Sequence, residues 1–328
     1  MRSSIACIAL GLAFSATIGC GDDDSSTPDA STDAPAASTF KGYDADEGGE
    51  IRIEHVRLPN PTGGVVNFTR IVGYVLGTAG STKFFSFPMV PGCTDTTNKK
   101  NWPVATNPIG ERVYLDPGNI IIQSPTSSTN LAPKQALTLP RKTVEGGDFL
   151  ARVHPANKWF YYDTIGTNPD GDMFLTPDAF LDVVITGSAD MPGQVFHNVS
   201  WMPNDFPLTS PALSDPVVLK ANTAMTFKWT LPKQDKPADM TVVSLVGFVG
   251  ANPATDGPAV LCIEPDDGEV TVPGNMIDVV RAKYPGGGIM ARQTFTHVPK
   301  ELVDKNGPTG RRLDIISTWC YANPYSVQ

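Results

Sequence analysis

From residue 50 onward the chain alternates or clusters its apolar residues in short runs separated by Gly, Pro, Asn and Asp. The runs at residues 50–57, 65–76, 83–87, 112–115, 119–123, 159–162 and 180–185 have the length, two-residue period and β-branched content of strands. A second set follows at residues 224–229, 241–249, 260–263, 289–297 and 313–319. In the first of these, Met225, Phe227 and Trp229 fall on one face, with Trp229 expected to plug a core. Two short helices are predicted: residues 273–283, with Met276, Val279 and Val280 at helical spacing, and residues 299–307, which open on Pro299 and stop at Gly307. The pattern predicts an all-β protein with minor helices.

Prolines 203, 207, 211 and 216 crowd the stretch between the two sets of runs, which places an expected boundary there. The expected organisation is two β-sandwich-like domains, residues 43–206 and 207–328, since about seven strands in roughly 120 residues is what a sandwich needs. Ahead of them, residues 20–42 are small, acidic and Pro-containing, too poor in apolar surface to offset their ordering entropy, and so read as a flexible tether.

Residues 1–19 differ from everything after them. Arg2 precedes an apolar run at residues 5–18, too short for a permanent membrane span and followed by Gly19, Cys20 and an acidic stretch. Thr17-Ile18-Gly19-Cys20 resembles the cleavage site of bacterial lipoproteins, although that family usually carries an aliphatic residue where Thr17 stands. The resemblance implies a signal peptide removed before Cys20, lipid on the Cys20 thiol, and attachment in the cell envelope, with Gly21 in the second position pointing to the outer membrane.

Composition narrows the partners. The 328 residues include 30 Gly and 30 Pro and carry a formal charge of −9, which disfavours nucleic acid and anionic membrane surfaces because neither would gain by counterion release or surface attraction. The expected partners are a membrane reached through the lipid, and an envelope protein or a glycan.

Beyond Cys7 and Cys20 there are three cysteines, Cys93, Cys262 and Cys320. Cys262 and Cys320 both occupy strand-like runs of the second half and are the preferred disulfide pair; three reduced, buried cysteines is the alternative left open. Residues 207–328 resemble an immunoglobulin-like sandwich in having Trp229 in a strand, Cys262 before the turn Asp266-Asp267-Gly268, and Cys320 in a late strand. They depart from true immunoglobulin domains because Trp229 precedes both cysteines. The whole also resembles uncharacterised β-rich secreted lipoproteins, a likeness that implies no activity.

Catalytic signatures are missing from the sequence: His55, His154, His197 and His297 are solitary, and no nucleophile elbow, zinc signature, phosphate loop or dinucleotide fingerprint occurs. No catalytic residue, metal ligand or cofactor is expected. Carboxylates gather at Asp44, Asp46, Glu47 and Glu50, and at Asp170 and Asp172, without completing a calcium loop. The run Trp159-Phe160-Tyr161-Tyr162 is aromatic on both sides of a strand, so Trp159 and Tyr161 form a possible ligand platform. The expected function is non-enzymatic binding, adhesion or scaffolding at the envelope. A carbohydrate-binding or carbohydrate-active protein is the alternative, and a metal-dependent hydrolase a distant third.

Overall fold

The computed structural model describes residues 42, 45–59, 65–77, 91–97, 114–123, 136–139, 161–168, 179–202, 208–212, 215, 217–231, 235–251 and 256–328. In chain order the strands are β1 (Glu47–Pro59), β2 (Val65–Val75), β3 (Gly92–Asp95), β4 (Ile120–Gln123), β5 (Ala136–Thr138), β6 (Tyr161–Asn168), β7 (Ala179–Ile185) and β8 (Gln194–Met202). They continue with β9 (Leu208–Ser210), β10 (Val217–Leu219), β11 (Met225–Trp229), β12 (Thr241–Gly250), β13 (Val260–Pro265) and β14 (Glu269–Val272). After the helix α1 (Gly274–Lys283) come β15 (Gly288–Asp304) and β16 (Gly307–Val327).

The protein is all-β and sandwich-like. One layer is a nine-stranded sheet in the order β3-β13-β12-β15-β16-β1-β2-β6, with β10 pairing the far end of β16. The other layer is made of two small sheets, β14-β11-β9 and β5-β4-β7-β8. Trp201 of β8 meets Trp319 of β16 edge-on at 6.3 Å between ring centroids, and Phe227 of β11 meets Phe248 of β12 at 6.1 Å. Both small sheets thus pack on the same face of the large one, where Ile51, Ile53, Leu313, Ile315, Tyr321 and Val246 join a single apolar core. Helix α1 contributes Ile277 and Val280 to it.

Local sequence accounts for much of this. In β11 the expected alternation appears, with Phe227 and Trp229 buried and Lys228 exposed. Where β1 enters the sheet, its pairing with β16 shifts between Glu47 and Gly49. Gly49 has φ +150°, and a Cβ there would lie 2.5 Å from the Tyr74 carbonyl oxygen, so the bulge requires glycine.

Three expectations meet a different arrangement. Residues 299–307, expected as a helix, are the end of β15 and the tight turn into β16, with Pro299 opposite Asp314 and Leu302 fully buried. A hairpin this long overrides the weak helical preference of a short segment. The helix expected at residues 273–283 does form, as α1.

The expected division at residue 206 runs through one hydrogen-bonded sheet, because β1 lies parallel to β16 and β3 pairs with β13. The prolines around residues 203–216 punctuate a connection, and a connection says nothing about which distant strands pair. Residues 207–328 therefore share their main sheet with β1, β2, β3 and β6 instead of closing on themselves.

The partner of Cys262 is the third difference. Cys262 bonds to Cys93, not to Cys320. The two bonded residues stand directly opposite each other on antiparallel β13 and β3, whereas Cys320 lies on β16 opposite Gln293 of β15. Shared strand character drew the expected pair together, but disulfides need adjacent Cβ atoms, and the sheet order puts β12 and β15 between β13 and β16.

Candidate functional site: a buried charge network

The period of two puts Glu50, Arg52 and Glu54 on one face of β1, opposite to Ile51 and Ile53. That face is covered, for the three residues are only 6%, 6% and 8% exposed. Arg52 grips Glu50 with two contacts, Nε to Oε1 at 2.8 Å and Nη2 to Oε2 at 3.1 Å, and reaches Glu54 Oε1 at 3.7 Å. The parallel strand β16 sets Asp314 opposite Glu50. Asp314 Oδ1 accepts from His297 Nε2 at 2.6 Å and forms an ion pair with Arg312, whose Nε lies 2.6 Å away, and all three residues are buried. On β2, the Tyr74 hydroxyl donates to Glu47 Oε1 at 2.5 Å.

Electrostatics link these groups. Burial lifts the Glu50 carboxyl above its ordinary value, Arg52 opposes that, and the neighbouring Asp314 and Glu54 add to the rise. Burial also works against the Arg52 charge, yet Glu50 and Glu54 outweigh it and raise the guanidinium's pKa. Buried ions of this kind are costly to strip of water and tolerable only when paired. The pairing across β1, β16 and β15 therefore ties charge to strand register: a slip of one residue would turn Arg52 and Asp314 into the apolar core.

A second cluster lies on the opposite face. The Arg292 guanidinium stacks 4.0 Å above the Trp229 ring centre. Trp229 Nε1 donates to Asp266 Oδ1 at 2.6 Å and Ser244 Oγ donates to the same oxygen at 2.8 Å. Arg292 Nη2 sits 3.9 Å from Asp266 and donates to Thr294 Oγ1 at 2.5 Å. Burial pushes the Arg292 pKa down to about 10 against the pull of Asp266. Trp229 is thus the core plug expected of it, and also one wall of a polar cage.

A third pairing is at the surface. His197 Nδ1 lies 3.0 Å from Asp182 Oδ2, the imidazole two-thirds exposed and the carboxylate buried. The other carboxylate oxygen accepts the Asn198 backbone N–H at 2.9 Å.

Chemically, a His–Asp pair is the orienting half of a nucleophilic triad. In His297–Asp314 the ring is 2% exposed, so a substrate would have to displace covering chain to reach it. Among the described residues no group of three or more His, Cys, Asp or Glu side chains is arranged to hold a metal ion. The network's evident work is to neutralise charge inside the sheet.

The structure distributes the sequence candidates unevenly. Cys20, Trp159, His154, Asp44, Asp170 and Asp172 lie outside the described residues, and Tyr161 is described only as the first backbone position of β6, opposite Gly73. Glu47 and Glu50, read as part of an acidic cluster, are separate members of buried pairings. Cys320 is buried and itself disulfide-bonded, its Sγ accepting from Gln293 Nε2 at 3.5 Å. His197 and His297, read as solitary, each have an aspartate partner. For His297 a signal existed: reading residues 288–327 as one hairpin brings it two positions from Asp314's cross-strand partner, Pro299.

Compared with models of known protein families and with curated proteins, the chain matches none.

Proposed function

We propose that this chain is a lipid-anchored cell-envelope protein with a non-enzymatic binding, adhesion or scaffolding role. The observation that carries the reading is the Cys93–Cys262 disulfide joining adjacent strands of the main sheet. Disulfides persist in oxidising compartments outside the cytoplasm, which supports the export implied by residues 1–19 and the lipid attachment implied by Thr17-Ile18-Gly19-Cys20. The histidine and carboxylate groupings support a non-catalytic role, since the most elaborate of them spends its charges on internal ion pairs in a buried face. One acyl chain holds a protein only marginally on a membrane, so stable anchoring would take the several chains that lipoproteins carry on that cysteine.

The test is Cys20→Ser in cells fed labelled palmitate. The wild-type chain is expected to take up label and sediment with membranes, and the variant to do neither. Unlabelled wild-type protein found wholly in the soluble fraction would overturn the anchor.

A further inference from the structure

We propose that β3 is a detachable edge strand latched to the main sheet by a thiol-exchangeable bond, with Cys93 the sulfur at which an external thiol attacks. The inference stands on the fold and needs no lipid anchor. β3 has four residues and, among the described residues, ends the sheet order and pairs with β13 alone, from Gly92 opposite Ile263 to Asp95 opposite Val260. The two strands differ sharply in exposure: Thr94 is exposed and Gly92, Cys93 and Asp95 are half-buried, while Val260, Leu261, Cys262 and Ile263 are buried. Beyond β3 the backbone is held by Thr96, whose N–H donates to the Ala259 carbonyl and whose hydroxyl donates to the Pro258 carbonyl, both at 2.9 Å. A strand so short has few bonds of its own, so the covalent link to Cys262 decides how long it stays seated.

Of the two bonded residues Cys93 is the more accessible, half-buried at the sheet edge where Cys262 is 0% exposed. A thiolate of an external dithiol attacks Cys93 Sγ, a mixed disulfide forms there, the Cys93–Cys262 bond breaks, and Cys262 leaves as a thiolate that takes up a proton. The dithiol's second thiol then attacks its own bound sulfur, closing to the oxidised ring and releasing Cys93, which is protonated in turn. Two electrons pass from the dithiol to the protein disulfide. Burial disfavours the departing Cys262 thiolate, so exchange proceeds as β3 frays from the free edge. Once β3 leaves, the outward backbone groups of β13 lose their partners and the sheet gains a bare apolar edge.

Hydrogen exchange followed by mass spectrometry on the full chain tests the latch, comparing the wild type with the double variant Cys93→Ser, Cys262→Ser, and with Cys93→Ala, Cys262→Ala should that variant fold poorly. Amides of residues 92–95 and 260–263 are expected to exchange about tenfold faster or more when the bond is absent, with the β12–β15 and β15–β16 pairings unchanged. Unchanged protection, or equal acceleration across the whole sheet, would overturn the latch. Brief exposure to glutathione is expected to leave the adduct on Cys93; an adduct on Cys262, or none, would overturn the direction of attack.

Discussion

The two faces of β1 and β16 are built from the same alternating sequence yet are buried by different means. On one face, Ile51, Ile53, Ile315 and Trp319 pack into a continuous apolar core against the small sheets. On the other, Glu50, Arg52, Glu54, Asp314 and Arg312 are just as inaccessible and are held by ion pairs. The apolar face gains stability in proportion to area and tolerates some rearrangement. The charged face gains little net energy but admits few alternative pairings, so its contribution is to register more than to stability.

The largest expected effect lies on the apolar face. Trp319→Ala removes a fully buried ring that contacts Trp201, and should cost about 3–5 kcal/mol in denaturant unfolding. A loss below about 1 kcal/mol would show that the two layers do not share one core.

On the charged face, Arg52→Met strands Glu50 beside Asp314 and should also approach about 3–5 kcal/mol, whereas adding Glu50→Leu should recover most of that loss. Urea midpoints of the single and double variants decide it. A double variant no better than the single would mean that the pair is a net source of stability, and the contrast between the faces would fail.

The smallest effect is a change of slope. Because Glu50 has a raised pKa in the folded chain, it binds a proton more readily folded than unfolded; its contribution is full below the ordinary value of 4.5 and is lost as pH rises through the folded value. Glu50→Gln cannot titrate, so its midpoint relative to wild type should rise between pH 4.5 and neutrality. A parallel pair of pH profiles would show that Arg52 fully offsets the burial of Glu50.

Strand character was legible from the chain because alternation and β-branched content act within a few residues: β1, β2, β11, β12 and β16 all contain runs evident at sight. The helix α1 was legible for the same reason, and the turn mistaken for a helix at residues 299–307 shows where a local signal is too weak to stand against a long hairpin. What the order of residues could not display was which strands meet. Joining β1 to β16 in parallel, and Cys93 to Cys262 across 169 residues, depends on core packing and strand order, summed over the whole fold. The sequence by itself determined the all-β class and the alternation of Glu50, Arg52 and Glu54 with Ile51 and Ile53. Only the tertiary structure decided that the polar side of that alternation would be buried, and that His297 and Asp314 would meet there, because burial and ion pairing belong to neighbours that are remote in the chain.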